Sequence, residues 1–460
     1  MGEMRGPGER RGAIDRDWTK GSIAGNLLSL AWPMIVSGSL TMLGPTIDMI
    51  WVGKLGAASI AGVGVAGMAV MLVNSTRMGL SQGMRAIVAR YIGADDIEGA
   101  KHAAQQAFVI SSVFAITMAA IGILLARPIL IMMGLEVDVV DEGADYMRIM
   151  FVGSAALSFR MMAEGIMQAS GDAITPMKIS FLFRFFHVAL CPFLVFGWWI
   201  FPRMGVSGAA VTNVFSQSLG TAIALWFLLT GRTRIQLTLR NFRLDFSMIW
   251  RIVKIGIPAS VTTLQHSLGN FLLMYIIVAF GTLAVAANTL VQRIEMMLFM
   301  PCMGFGQAAG ILAGQNLGAE QPGRAEKSGW LASGIVTGFM LVCSVAILIW
   351  PQQIIGIFNT DPGLIDITTD FLRIAVVGYS VFGLAIVFQQ CLSGAGDTVP
   401  PMIFGLVTLW LIQLPLAYFL PKITDLGVYG VRWGMVAGIV GGAIASLIYF
   451  RLGRWKRKQV

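Results

Sequence analysis

Residues 168–176 read QASGDAITP, and residues 393–401 read SGAGDTVPP. Each stretch has Gly-Asp followed by a proline four residues after the aspartate, and the two stretches lie 225 residues apart. The same displacement superposes Pro33 on Pro258, Gln82 on Gln307, Gly93 on Gly318, Asp145 on Asp370 and Arg148 on Arg373. A repeat that keeps one register over this length indicates two copies of one structural unit.

The composition is typical of a membrane protein. Of 460 residues, 56% are hydrophobic and only 12% are charged, whereas soluble domains carry about 25% charged residues. The mean hydropathy is +0.75. The apolar runs are long and continuous, which favours spanning helices of roughly 20 residues over the alternating pattern of membrane strands. The net charge of +9 comes largely from the chain ends and the midpoint, so we expect no binding to nucleic acid.

Twelve apolar runs predict an all-α membrane protein with twelve transmembrane helices in two pseudo-symmetric six-helix lobes. The predicted spans are 26–53, 60–88, 103–128, 144–168, 174–200, 206–230, 249–279, 284–313, 327–351, 368–393, 399–421 and 427–452. The predicted domains are a basic cytoplasmic tail at 1–25, an N-lobe at 26–230, a cytoplasmic linker at 231–248, a C-lobe at 249–453 and a basic cytoplasmic tail at 454–460.

Lysine and arginine concentrate in the two tails and the linker, and cytoplasmic segments retain such residues. We therefore expect a multi-pass protein of the cell membrane with both termini in the cytoplasm. Six spans are an even number, so the two copies have the same orientation and are related by an axis along the membrane normal. A cleft between two such lobes permits alternating access, which is typical of a secondary transporter.

Asp48 is the only carboxylate in the first predicted span. An acid inside a membrane is costly and is by default a functional candidate, able to exchange protons or hold a cation; the alternative is that it lies near the outer end and is hydrated. His187 and Cys191 share one helix face, and Asn213 lies in the next span. We assign ion coupling to Asp48, His187, Asn213 and Cys191, with hydrogen bonding between helices as the alternative for the histidine and the asparagine.

Six further polar residues are candidates for substrate binding: Gln217, Gln265, His266, Glu295, Gln389 and Gln390. Hydrogen bonding between helices is the alternative for most of them. Glu164 and Arg160 lie four residues apart, so a structural ion pair is expected. The 27 Phe, 28 Met and 12 Trp include residues suited to lining a pocket for lipophilic cations.

The sequence contains no cluster that indicates an enzyme. The GxSxG match at 79–83 lies in a predicted span, without the strand-turn-helix context of a nucleophile elbow. The four cysteines lie in apolar runs without a CxxC pair, so neither a metal site nor a disulfide framework is predicted. We expect no cofactor, apart from sodium if sodium is the coupling ion.

Several motifs together resemble one known family. Residues 314–319, GQNLGA, resemble the motif that follows the eighth helix of the multidrug and toxic compound extrusion (MATE) family, and 89–94, ARYIGA, are its counterpart here. The two stretches quoted first resemble the family's G-x-G-D turn, and 48–56, DMIWVGKLG, resembles the end of its first helix, where an acid is implicated in ion coupling. The resemblance implies a two-lobe exporter of organic cations that takes up sodium ions or protons in exchange.

The chain departs from the family pattern at the coupling residues. His187 and Cys191 stand where many members have Asn and Asp, and Asn213 stands where some members have threonine. Acidic residues of one subgroup fall on His266 and Phe382. These departures leave Asp48 as the main candidate for ion coupling. They favour protons as the coupling ion, and sodium is kept as the alternative.

The expected function is therefore an ion-coupled antiporter, driven by protons or sodium, that exports organic, cationic and lipophilic compounds. The alternative is a lipid or lipid-linked precursor flippase, which needs a groove of cationic side chains to hold phosphates. Arg77, Arg184 and Arg293 are its main unpaired candidates, and they are scattered along the sequence. The expected partners are small organic cations, protons or sodium ions, and the lipid bilayer, and we expect a monomer.

Overall fold

The computed structural model describes residues 17–132, 137–238, 242–359 and 361–459. These residues are almost entirely helical, and none of them forms a strand. The cations of the predicted amino-terminal tail up to Arg16, and Arg240 of the predicted linker, lie outside the described ranges.

The helices of the first half follow the apolar runs. They are α1 (Ile23–Val52), α2 (Ala57–Gly93), α3 (Ile97–Met132), α4 (Val137–Val152), α5 (Ser154–Ala169), α6 (Ile174–Phe196) and α7 (Gly205–Leu229). Those of the second half are α8 (Phe246–Val278), α9 (Thr282–Gly318), α10 (Pro322–Ile349), α11 (Pro351–Gly356), α12 (Pro362–Gly394), α13 (Val399–Val407), α14 (Leu414–Ile423) and α15 (Val428–Leu452). A π-helical turn, Thr408–Gln413, joins α13 to α14, and a 3₁₀ turn, Arg454–Arg457, follows α15.

Among the described residues, eleven helical segments are long and apolar enough to cross a membrane. Helices α4 and α5 meet this test only as a pair, bent by 43°, and the number of spans is twelve if this pair crosses as one. The chain is a multi-pass membrane protein, and the predicted all-α fold class is confirmed.

The fourth span differs from the single helix predicted at 144–168. Helix α4 ends at Val152 and α5 begins at Ser154, with Gly153 between them. A Cβ atom added at Gly153 would lie 2.2 Å from a methyl group of Val214 on α7. Glycine therefore permits a close approach at the bend that a larger residue would prevent.

The chain divides into two compact units. Unit 1 contains Trp18 and Val36–Gly256, and unit 2 contains Thr19–Ile35 and the chain from Ile257 onward. The first part of α1 therefore belongs to unit 2 and the rest of α1 to unit 1. For α8 the first part belongs to unit 1 and the rest to unit 2. Both changes of unit occur close to a proline that the repeat superposes, Pro33 in α1 and Pro258 in α8. The lobe bounds 26–230 and 249–453 stay a prediction.

The predicted linker is anchored to unit 1 by side chains at the start of α3. Gln105 donates to the carbonyl of Thr238 at 2.6 Å, and Gln106 donates to the carbonyl of Arg243 at 2.8 Å. Asp245 contacts His102 at 3.1 Å and accepts from the backbone N–H groups of residues 247 and 248. The contact with His102 and these N–H groups together lower the pKa of Asp245. Asp245 therefore acts as the N-cap of α8.

Unit 2 is held together partly by close contact between α9 and α12. A Cβ atom at Gly310 would lie 2.6 Å from the carbonyl oxygen of Gln390. A Cβ atom at Gly394 would lie within 2.0 Å of the carbonyl oxygen of Gly310. Lipid tails are as apolar as the helix surfaces, so no hydrophobic driving force brings two helices together in the membrane. Close backbone contact of this kind stabilises the helix pair instead.

Unit 1 contains a buried ion pair inside its helices. Arg160 on α5 lies 2.6 Å from Glu164, and their side chains are 2% and 12% exposed. Arg160 also donates to Gln217 on α7, and its guanidinium lies 4.4 Å from the centre of the Phe183 ring. The pair expected from the spacing is therefore present, and Gln217 is one of its partners.

We expect Gly310→Ala to destabilise the protein by about 1–3 kcal/mol, because the new methyl group overpacks the contact between α9 and α12. Gly338→Ala on α10 is the matched control, since no atom lies within 4 Å of its added Cβ. Melting temperatures of both variants in detergent micelles measure the effect. Equal melting temperatures for the two variants would contradict this account of the packing.

We expect Glu164→Leu to cost about 3–5 kcal/mol, because it leaves the buried charge of Arg160 without its counterion. Glu98→Leu removes the exposed partner of Lys101 and should cost no more than about 1 kcal/mol. Thermal unfolding of the two variants side by side checks the prediction. A loss at Glu164 no larger than at Glu98 would show that the buried pair does not stabilise unit 1.

Candidate functional site

Asp48 lies in the last two turns of α1 and is 2% exposed. Cys191, which contacts it, belongs to an apolar cluster of unit 1 that includes Val52, Tyr146, Phe151 and Val195. A carboxylate in such surroundings is poorly solvated, so its charge depends on the polar groups that face it.

Three side chains from two helices face the carboxylate of Asp48. Nε2 of His187 lies 3.0 Å from Oδ1, and Sγ of Cys191 lies 3.9 Å from the same oxygen. Nδ2 of Asn213 on α7 donates to Oδ2 at 3.3 Å. His187 and Cys191 are both fully buried, one turn apart on α6. The four residues assigned to ion coupling thus lie together in unit 1, and Tyr146 on α4 interacts electrostatically with two of them, Asp48 and Cys191.

Each group that faces Asp48 presents a hydrogen. The thiol of Cys191 and the amide nitrogen of Asn213 are donors to a carboxylate. Nη1 of Arg184 lies 2.9 Å from Nδ1 of His187. A guanidinium only donates, so Nδ1 is the acceptor and the proton of the neutral ring is on Nε2. The 3.0 Å approach of Nε2 to Asp48 lacks hydrogen-bond alignment, so it is an electrostatic contact.

The same atoms are close enough to be considered as metal ligands. One ligand atom each of Asp48, His187 and Cys191 lies within 4.8 Å of the others. A metal ion needs a thiolate at Cys191 and a lone pair on Nε2 of His187. The hydrogen bond from Arg184 places the proton on Nε2, so the ring as arranged offers no lone pair to a metal. The donor set as arranged therefore does not complete a metal site.

The candidate substrate residues have different partners. Gln217 accepts from Arg160, and Gln389 donates to Ser446 at 3.4 Å. The side chain of Gln265 is buried beside Gly405, and neither of its amide atoms has a hydrogen-bond partner. His266 is exposed. The side chain of Gln390 packs against Gly306 of α9.

Glu295 belongs to a second buried charged group, located in unit 2. It accepts from the hydroxyl of Tyr379 on α12 at 3.1 Å and from Nη1 of Arg432 on α15 at 3.4 Å. The guanidinium of Arg432 lies 5.1 Å from the centre of the Phe371 ring. The partners of Glu295 therefore come from two other helices.

Sequence reasoning missed two residues that contact the site. Arg184 was treated as an unpaired cation, although it lies one turn before His187 on α6 and therefore on the same face. Tyr146 precedes the bend between α4 and α5 and received no role. The spacing of Arg184 and His187 is a signal that points to their contact, whereas no spacing along the chain relates Tyr146 to the other residues of the site.

The comparisons with known proteins agree with this architecture. The multidrug resistance protein NorM of Burkholderia vietnamiensis is 27% identical over 429 residues, 92% of each chain. A probable NorM of Thermotoga maritima is 27% identical over 94% of this chain and 93% of its own length. An FAD transporter of Shewanella oneidensis is 24% identical over 85% of this chain and 86% of its own length.

Solved structures support the same conclusion. The outward-facing structure of a multidrug resistance MATE family transporter of the MOP superfamily superposes with a TM-score of 0.89 at 25% identity, covering 95% of this chain and 96% of that one. The model of the MatE family matches residues 33–193 and 258–419, one match in each copy of the repeat. The chain therefore belongs to the MatE family, whose members are transporters rather than enzymes.

Proposed function

We propose that this protein is an antiporter that exports small organic compounds in exchange for protons, with Asp48 as the residue that carries the proton. The observation behind the proposal is the donor shell around one buried carboxylate in unit 1. A proton bound there neutralises the only charge of the Asp48 side chain at the place where solvation is poorest. The same group, when deprotonated, attracts a cation.

The donor shell favours protons over sodium. Hard cations are bound by several oxygen atoms, whereas the partners of Asp48 present N–H and S–H groups from His187, Asn213 and Cys191. Sodium binding requires these donors to turn away from the carboxylate. Proton binding leaves them in place.

For substrate we propose lipophilic organic cations. NorM relatives are named as multidrug resistance proteins, and a cation matches the charge of deprotonated Asp48. The flippase alternative is not favoured, because two of its three candidate arginines are already bound by other groups of the protein. Arg77 binds Asn74 at 2.8 Å, Arg184 is engaged with α1 and His187, and Arg293 is exposed.

We expect Asp48→Asn to abolish gradient-driven export, because the amide cannot take up and release a proton. The measurement is efflux of a fluorescent organic cation from proteoliposomes with an imposed proton gradient. Asp145→Asn is the matched control, since Asp145 is exposed and pairs with Arg148 at the helix surface. The control variant should export at the rate of the unmodified protein.

Two results would overturn parts of this proposal. Full gradient-driven efflux by Asp48→Asn would remove the role of Asp48 in coupling. Efflux driven by a sodium gradient alone, at equal pH on both sides, would reject the proton as the coupling ion.

We propose that both termini face the cytoplasm, because the basic residues concentrate in the tails and the linker. Alkaline phosphatase fused after residue 459 should be inactive and green fluorescent protein fused there should fluoresce. The same reporters inserted between α1 and α2, after Lys54, should give the opposite result. Active phosphatase at the carboxyl end would contradict the proposed topology. We propose a monomer as the working form.

A further inference from the structure

We propose that Arg184 is the positioning residue that fixes the tautomer of His187 and thereby keeps metal cations out of the Asp48 pocket. The relevance of this inference to transport rests on the proposed role of Asp48, whereas its test does not depend on that role. Arg184 is 4% exposed and lies on α6, one turn before His187. Its guanidinium donates to α1 and to His187, so it links the helix that carries Asp48 with the residue that faces Asp48.

Helix α1 is shaped to receive this guanidinium. Nη2 of Arg184 donates to the carbonyl of Thr41 at 3.1 Å. That carbonyl lacks the usual i+4 donor, because the residue four positions later is Pro45, which has no N–H group. Nε donates to the carbonyl of Leu40 at 2.8 Å. A Cβ atom at Gly44 would lie 2.4 Å from Nη1, so the glycine provides the space that the arginine fills.

The third contact of Arg184 fixes the tautomer of His187. Nη1 reaches Nδ1 at 2.9 Å, and this hydrogen bond forms only if Nδ1 carries no proton. The neutral ring then has its proton on Nε2, the nitrogen that lies 3.0 Å from Asp48. Because the two carbonyls of α1 hold the guanidinium in place, the ring cannot adopt the other tautomer without breaking the contact.

The side chains of Asp48, His187 and Cys191 have a spacing suitable for metal ligands. With its proton fixed on Nε2, His187 cannot act as one of them. Oδ1 of Asp48 lies 3.0 Å from Nε2 of His187 and 3.9 Å from Sγ of Cys191. Ligands around a tetrahedral zinc ion lie roughly 3.3–3.6 Å apart, given bond lengths of about 2.0–2.3 Å. A zinc-bound histidine normally donates its other N–H to an acceptor. Arg184 presents a donor and a positive charge at that position.

The charges near Arg184 act in the same direction. Arg160 interacts electrostatically with Arg184, and the Phe183 ring lies 4.4 Å from the guanidinium of the former and 5.2 Å from that of the latter. The acidic group that faces His187 and interacts with Arg184 is Asp48. The weakly acidic side chains of Cys191 and Tyr146 interact with Asp48. A divalent cation entering here therefore meets the positive charge of Arg184 beside the carboxylate of Asp48, while the charge of Arg160 is countered by Glu164.

The tautomer is measured directly on the full chain in lipid nanodiscs with ¹⁵N-labelled histidine. The protein has three histidines, and His187→Gln identifies the signals of residue 187. We expect Nδ1 of His187 to give the signal of an unprotonated nitrogen and Nε2 that of an N–H nitrogen, at neutral pH. The reverse pattern would overturn the proposal.

Metal binding tests the consequence. Zn²⁺ titrations by calorimetry compare the unmodified protein with Arg184→Gln and Arg184→Lys. A glutamine carbonyl can accept from Nδ1–H and release the lone pair of Nε2, whereas lysine only donates. We expect Arg184→Gln to bind Zn²⁺ about 10- to 100-fold more tightly than the unmodified protein, the range typical of second-sphere changes, and Arg184→Lys to bind as the unmodified protein does. Adding Cys191→Ser to Arg184→Gln should abolish the gain.

A second variant keeps the test decisive if Arg184→Gln does not fold. Gly44→Ala places a methyl group too close to Nη1 for the guanidinium to stay where it is. The arginine is still present but displaced, so this variant should also tighten Zn²⁺ binding. Tight Zn²⁺ binding by the unmodified protein, or no gain in a folded variant, would overturn the proposal. Neither measurement uses substrate or a gradient, so a failed efflux test of Asp48 and a failed tautomer test remain distinguishable.

Discussion

A polar group inside the bilayer has no water to bind, so its partner must come from the protein itself. Pro45 creates such a need by leaving the carbonyl of Thr41 without its usual i+4 donor, and Arg184 meets it from another helix. The guanidinium has a further N–H group, on Nη1, which donates to Nδ1 of His187. The chemistry around Asp48 therefore follows from a backbone requirement of α1, because the residue that repairs the helix also orients the histidine.

The two copies of the repeat share this packing but not its chemistry. The displacement of 225 residues relates Gly44 to Gly269 and Arg184 to Leu409. In unit 1 the glycine packs against the arginine, and in unit 2 its counterpart packs against the leucine, whose methyl carbon would lie 2.7 Å from an added Cβ. The helix contact is thus retained in both copies, while the charged side chain is present in one.

The counterparts of the other site residues are apolar as well. Asp48, His187 and Cys191 correspond to leucine, isoleucine and leucine at 273, 412 and 416. Conversely, Glu295 of unit 2 corresponds to a valine at 70, so its ion pair with Arg432 has no equivalent in unit 1. Duplication explains the common scaffold of the two units, and the polar sites were placed in each unit separately.

These differences explain how far the sequence alone could lead. Long apolar runs predict spans well, because the bilayer imposes their length, and the cost of an intramembrane acid singled out Asp48. The i,i+4 spacing also predicted the pair of Arg160 and Glu164. The bend at Gly153, the reach of Arg432 to Glu295 and the three contacts of Arg184 depend on which helices become neighbours, and a single sequence does not encode that in any local pattern.

The exchange that we propose, a proton for a cationic substrate, rests on the charges of the Asp48 site. Deprotonated Asp48 and the nearby Arg184, joined through neutral His187, carry no net charge. Binding either a proton or a monovalent cation brings this group to one positive charge, and binding both would bring it to two. Like charges repel strongly where the effective dielectric constant is low, so occupancy by one excludes the other. A site that holds only one of two positive charges at a time couples the inward passage of the first to the outward passage of the second.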